Sequence, residues 1–243
     1  MKAWWAQTRA EVRMTIRHGE TLLLTVGIPV LLLVFFSLAH VIATPTSRRI
    51  DFVAPGILAL CILSTSLVAL SIATGFERSF GVLRRLHVTP LGTRRLVGAK
   101  IAGVFVTQAL QIVILGAVAF ALRWHPHGGP FGGLAVTGLL VLGSAGCAGI
   151  GLALAGRLRA EVNLAASNGL YLVLLLVSGI VVPLSTLPMV VRRIAVAFPP
   201  GAMAQGLHRV FAQGVGPTIT DWIVLGLWAL LAPLFAARTF RFD

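Results

Sequence analysis

Apolar residues run along this chain in six blocks, at about 22–43, 53–75, 97–122, 132–155, 164–184 and 221–238, separated by short polar or basic stretches. At ~1.5 Å of rise per residue, a helix of roughly 20 residues crosses the hydrocarbon core of a bilayer. The pattern predicts six membrane-spanning helices. Pro29, Pro55 and Pro233 lie within or near the blocks, which membrane helices tolerate where neighbours satisfy the freed carbonyls. The first block follows basic residues, as a signal peptide's would, but its apolar part is longer than an h-region and reads as a retained span.

The connections carry their own patterns. Residues 76–95, "FERSFGVLRRLHVTPLGTRR", hold five arginines between two apolar blocks. At about 100° per residue, residues 76–87 form an amphipathic helix. Val82, Leu86, Leu83, Phe76, His87 and Phe80 fall on one side, and Arg84, Glu77, Gly81, Arg85 and Arg78 on the other, with only Ser79 misplaced. Thr89-Pro90-Leu91-Gly92 ends it. Residues 185–220 are too apolar for a solvated loop and too broken to span. Pro188, Pro199 and Pro200 divide them into two short helices lying at, or dipping into, one membrane face. At the N-terminus, Trp5, Thr8, Val12 and Ile16 recur at helical spacing. With Trp4, they predict an interfacial helix at the headgroup level.

Composition supports the membrane reading. Hydrophobic residues make up 57% of the 243 and charged residues only 11%, against about 25% charged in soluble domains. The net charge of +13 would point to nucleic acid in a soluble chain. Here the basic residues sit between spans, where topology and anionic lipid explain them. Counted by alternate segments, fourteen of the 20 Lys and Arg fall with residues 1–21, 76–100, 156–163 and 238–243, and six with 44–52, 123–131 and 185–220. This bias places both termini and the 76–95 segment in the cytoplasm. A plasma or inner cell membrane, crossed several times, is the expected location.

Chemistry of other kinds is missing. A P-loop needs G-x-x-x-x-G-K-[ST]; the lysines are Lys2 and Lys100, and neither follows a glycine. The seven acidic residues, Glu11, Glu20, Asp51, Glu77, Glu161, Asp221 and Asp243, are scattered, whereas lipid transferases that use hard cations need clustered carboxylates. No span interior carries a carboxylate, which weighs against an ion-coupled carrier. His125 and His127 form an HPH motif without further ligands, and Cys61 and Cys147 fall inside apolar blocks as packing residues. No metal, catalytic residue or internal repeat is expected, and one membrane domain over 1–243 is the simplest organisation. Span four has rows of small residues, Gly143, Cys147, Gly151 and Ala155 beside Ala145, Gly149 and Ala153, which allow close packing of helices within the chain or at a dimer seam. Gln108, Gln111, Asn168 and Ser178 are polar residues inside spans. They either line a substrate path or make interhelical hydrogen bonds.

The 76–87 helix has two uses open to it: an anchor on anionic lipid, or a rigid element gripped by a cytoplasmic protein. "FERSFGVLRRLHVTPLGTRRLVGAK" resembles the corresponding loop of type-2 ATP-binding-cassette (ABC) transporter permeases, through Glu77, Arg78, Gly81, Leu83, Leu86, Thr89, Pro90 and Lys100. The segment after span five resembles that family's outer segment, through Pro183, Leu187, Pro188, Pro199 and Arg209. The likeness extends over essentially the whole chain and is nearest to drug-efflux, daunorubicin-resistance-like permeases, although the loop between spans one and two is very short here.

The resemblance implies an all-α exporter subunit that pairs with a second permease copy or paralogue. ATP and Mg would be bound by a separate cytoplasmic ATPase, docked on the N-terminal helix and on a coupling helix that includes Glu77, Arg78, Phe80, Gly81, Leu83, Arg84, Arg85, Leu86, Thr89 and Pro90. An amphipathic or drug-like cargo and a part in antibiotic resistance are the corresponding expectations. Haem or polysaccharide export, or an ATPase-independent channel or lipid-handling enzyme, are the alternatives.

Overall fold

Backbone inside hydrocarbon must satisfy its own hydrogen bonds, and the apolar blocks do so as helices. A computed structural model describes Arg9 and residues 19–39, 48–83 and 93–240. Among the described residues there are helices and no strands. They are α1 (Gly19–Leu38), α2 (Arg49–Ser79), α3 (Thr93–Ala121), α4 (Gly129–Ala155), α5 (Ala160–Val177), α6 (Met189–Ala197), α7 (Pro199–Gln213) and α8 (Ile219–Thr239). Helices α2, α3, α4, α5 and α8 are long and apolar enough to cross a membrane, and α1 contributes the shorter apolar stretch Thr25–Leu38. The expected N-terminal helix with Trp4, Trp5, Thr8, Val12 and Ile16 lies outside the described residues.

The ends of the helices follow from local chemistry. α1 stops at Leu38, before the predicted limit, and Arg49 Nη1 donates to the Ala39 carbonyl at 2.8 Å. α8 begins with a capping box: Asp221 N donates to Thr218 Oγ1 at 3.2 Å, and Thr218 N donates to Asp221 Oδ2 at 2.8 Å. These satisfy amide donors that the first helical turn leaves unpaired. α5 ends at Val177, not near 184, because Gly179 turns the chain with φ 80° and Pro183 follows. The apolar residues 178–183 are irregular backbone folded against α2; a Cβ on Gly56 would meet Ile180 O at 2.6 Å. The predicted pair of short helices between spans five and six is present as α6 and α7, with Pro188 just before α6 and Pro199 and Pro200 opening α7. Proline suits a first helical turn, where its missing N–H costs nothing.

α4 forms the centre of the bundle, packed against α8, α7 and the middle of α2. Its small residues are filled by the chain's own groups: Met203 of α7 closes on Gly143, Pro233 of α8 on Gly149, and Leu67 of α2 on Gly151. Such close approach substitutes for the hydrophobic driving force that helices lack inside lipid. At the same level α2 is not a plain α-helix. Residues Ser64–Ala69 form a π-helical segment, a feature that recurs at functional sites. Helix α2 is 31 residues long, about 45 Å at ~1.5 Å per residue, against a hydrocarbon core of about 30 Å. The helix is therefore longer than a perpendicular crossing needs, and its C-terminal end carries Glu77 and Arg78.

Candidate functional site

The C-terminal end of α2 is held by two charged contacts. Lys100 Nζ of α3 lies 2.7 Å from Glu77 Oε2, with the lysine side chain 1% exposed and the glutamate 24%. An ion pair this shielded keeps its geometry because removing either partner strands a buried charge. The next residue, Arg78, points to another helix: Nη1 donates to Ala155 O at 2.9 Å and Nη2 to Leu158 O at 2.7 Å. Ala155 closes α4, so the guanidinium sits at the negative end of that helix dipole and satisfies a carbonyl the helix leaves open. Adjacent residues of one helix thus hold two others, α3 through Lys100 and the end of α4 through Ala155.

The chain then turns. Phe80 N donates to Phe76 O at 2.9 Å and Gly81 N to Arg78 O at 3.0 Å, and Gly81 takes φ 71°. That left-handed conformation is accessible to glycine without steric cost. The single helix expected over 76–87 is accordingly divided. Residues 76–79 complete α2, Phe80 and Gly81 form the turn, and Val82 and Leu83 begin a new helical segment. Arg84, Arg85, Leu86, His87, Thr89 and Pro90 lie outside the described residues. The predicted apolar side is divided as well. Leu83 is fully buried against Leu96 with Phe240 packed alongside, whereas Phe80 is 74% exposed and Val82 42%. Arg95 at the start of α3 and Arg159 beside α5 are exposed at this same end. The result is an exposed apolar pair, Phe80 and Val82, on a turn anchored by Glu77–Lys100 and by Arg78.

The polar residues predicted inside spans have distinct surroundings. Gln108 and Gln111 are buried. Ser144 Oγ donates to Gln108 Oε1 at 2.6 Å, and Gln108 Nε2 reaches Ile62 O at 3.4 Å. Gln111 exchanges hydrogen bonds with Thr65 and donates to Thr25 O at 3.0 Å. The two glutamines thereby join α3 to α1, α2 and α4, Gln108 just before the π segment and Gln111 at Thr65 within it. Asn168 is exposed on α5, its Nδ2 donating to Leu164 O at 2.9 Å, and Ser178 is buried at the end of α5.

A further cluster escaped the sequence reading. Asn163 Nδ2 donates to Ser71 O at 2.9 Å, Ser71 Oγ donates to Asn163 Oδ1 at 2.9 Å, and Ser167 Oγ donates to Ser71 Oγ at 2.9 Å, all fully buried between α2 and α5. Asn163 and Ser167 are four apart on one helix face, the only signal in the sequence.

The opposite end of α2 opens on a cavity of about 840 Å³, bounded by Arg48 and the first turn of α2, by His125 and His127, by the segment that follows α5, and by α6 and α7. Of the predicted outer-segment residues, Pro183 and Arg209 line it, whereas Leu187, Pro188 and Pro199 do not. Phe52 of α2 stacks on His208 of α7 with ring centroids 4.5 Å apart. Burial pushes the His208 imidazole down to about 4, with the Gly179 backbone acting in the other direction. No group of three His, Cys, Asp or Glu able to hold a metal occurs among the described residues.

Among known families, the one described as ABC-2 type transporter matches residues 2–211. No curated protein matches the chain.

Proposed function

Because the chain belongs to the ABC-2 type transporter family, we propose that it is the membrane-spanning permease of an exporter driven by a separate ATPase. In this reading ATP and Mg are bound by the partner, and a second permease copy or paralogue completes the membrane unit. The protein resides in the plasma or inner cell membrane, with both termini and the 76–95 segment in the cytoplasm, as the distribution of basic residues favours.

The observation that carries the reading is the exposed pair Phe80 and Val82 on a turn anchored by Glu77–Lys100 and by Arg78. Large apolar groups set among arginines suit an interface with a protein groove: aromatic anchors supply the affinity and the charges the orientation. Anchoring matters for the mechanism. A push delivered at Phe80 passes through the Glu77–Lys100 pair to α3 and through Arg78 to α4, so three spans move as one body. The predicted coupling residues Arg84, Arg85, Leu86, Thr89 and Pro90 continue the same segment and belong to the proposed contact. An amphipathic or drug-like cargo fits the apolar spans. Of the predicted path residues, Asn168 is the one on an open helix face, while Gln108, Gln111 and Ser178 line the path only if their helices part.

Co-purification tests this. The tagged chain is expressed in mild detergent with its candidate ABC ATPase, as wild type and with Phe80→Asp, Arg84→Glu and Arg85→Glu together. Arg78 is left intact because it holds α4. The reading predicts ATPase retained by wild type and lost from the variant at equal permease yield; retention by both contradicts it.

A further inference from the structure

The charged groups around the cavity at the other end of α2 are predominantly cationic. Arg48, Arg192 and Arg209 line it with His125 and His127, against one carboxylate, Asp51. The arrangement is preorganised. Arg209 Nε donates to Gly216 O at 3.1 Å, which fixes the guanidinium plane and leaves its terminal nitrogens for a ligand. His127 Nδ1–H donates to Phe211 O at 3.1 Å and its backbone N to the same carbonyl at 3.3 Å. His125 Nδ1–H donates to Arg123 O at 2.8 Å. Both rings are thus held by backbone and not by each other. Arg192 is exposed, and among the described residues neither it nor Arg209 is in an ion pair. Three guanidiniums from three separate parts of the chain converge on one concavity, which a purely structural role does not require.

We propose that this cavity binds a phosphate oxyanion. Planar guanidinium forks match phosphate oxygens in bidentate geometry. Three of them against a single carboxylate suit a group with several anionic oxygens. A cation is disfavoured by the same charge balance, and no metal-ligand set is present among the described residues. Phe52, Pro183 and Leu184 add apolar wall, and a volume of about 840 Å³ falls within the range of small-molecule sites. The oxyanion therefore arrives either on an amphiphile's headgroup or as free phosphate. Placement of the site on the outer face rests on the orientation proposed above; binding itself does not.

The test uses the full chain purified in a zwitterionic detergent, without ATPase or ATP, so it is independent of the transport reading. Binding of dihexanoyl phosphatidic acid, dihexanoyl phosphatidylcholine and inorganic phosphate is measured by calorimetry on wild type, Arg192→Gln, Arg192→Lys and Arg209→Gln. The expected result is that phosphatidic acid binds, that Arg209→Gln and Arg192→Gln each weaken it by about tenfold or more, and that Arg192→Lys recovers part of the loss. Binding of inorganic phosphate with the same arginine dependence assigns recognition to the oxyanion alone. Binding of phosphatidic acid without inorganic phosphate assigns it to an amphiphile's headgroup. Arg192 is exposed, so its variants are expected to fold. Binding unchanged in the glutamine variants, equal affinity for phosphatidylcholine, or no binding of either phosphate probe overturns the proposal.

Discussion

Lys100 and Glu77 meet at 2.7 Å near the C-terminal end of α2, and the lysine side chain is almost wholly sealed from solvent. The pair joins spans two and three on either side of the segment that turns at Gly81. Breaking it from one side strands a charge, at a cost of about 3–5 kcal/mol. Glu77→Gln and Lys100→Met should each lower the thermal midpoint in detergent markedly. The double variant should lose less than the two singles added together, since it leaves no orphan. Additive losses in that cycle would count against a coupled pair.

The contact between α4 and the π segment of α2 predicts a sharp contrast between two glycines. A Cβ on Gly151 would lie 2.6 Å from Leu67 O, which is backbone and cannot swing aside, whereas nothing lies within 4 Å of a Cβ on Gly116. Gly151→Ala should destabilise by about 1–3 kcal/mol through overpacking. Gly116→Ala should be neutral or stabilising by up to about 1 kcal/mol, since alanine is the better helix former. Size-exclusion melting curves of the two variants provide the comparison; similar midpoints would remove the claim of close approach.

His208 sets an acid limit on stability. Its folded value of about 4 lies below the ordinary 6.5 because burial opposes the charged form. Between those values the unfolded chain binds the extra proton, so stability rises with pH from 4 to about 6.5 and then levels off. The span corresponds to a loss on the order of 3 kcal/mol at the acid end. His208→Phe, which keeps a ring against Phe52, should flatten this part of the curve. Melting midpoints from pH 4 to 7.5 that fall equally in both proteins would assign the acid limb to other groups.

Much of this architecture was readable from the chain. Six apolar blocks located the spans, and Pro188, Pro199 and Pro200 located the pair of short helices, because proline acts locally on the backbone it occupies. What escaped depends on partners distant in sequence. The helical wheel over 76–87 assumed one uninterrupted helix; Gly81 breaks it, so Phe80 and Leu83 have opposite fates. The apolar run through residue 184 looked like a longer span five, and Gly179 ends it by adopting a conformation that composition does not reveal. The π segment carries no proline or glycine of its own and lies against Gly151 of another helix. Glu77 and Lys100 both belong to the loop resemblance, but their pairing depends on α2 and α3 lying side by side. Asn163 and Ser71 are 92 positions apart, beyond any periodicity.

Site-specific photocrosslinking decides whether an ATPase grips the permease at the end of α2. A photoreactive residue is placed at Phe80, and in a second protein at Phe131, which is 89% exposed near the start of α4 at the other end of the bundle. Each is expressed in cells with the ABC ATPase and irradiated. A covalent ATPase adduct is expected from position 80 and none from position 131. An adduct from 131 alone would invert the proposed orientation, and no adduct from either would contradict docking at this site.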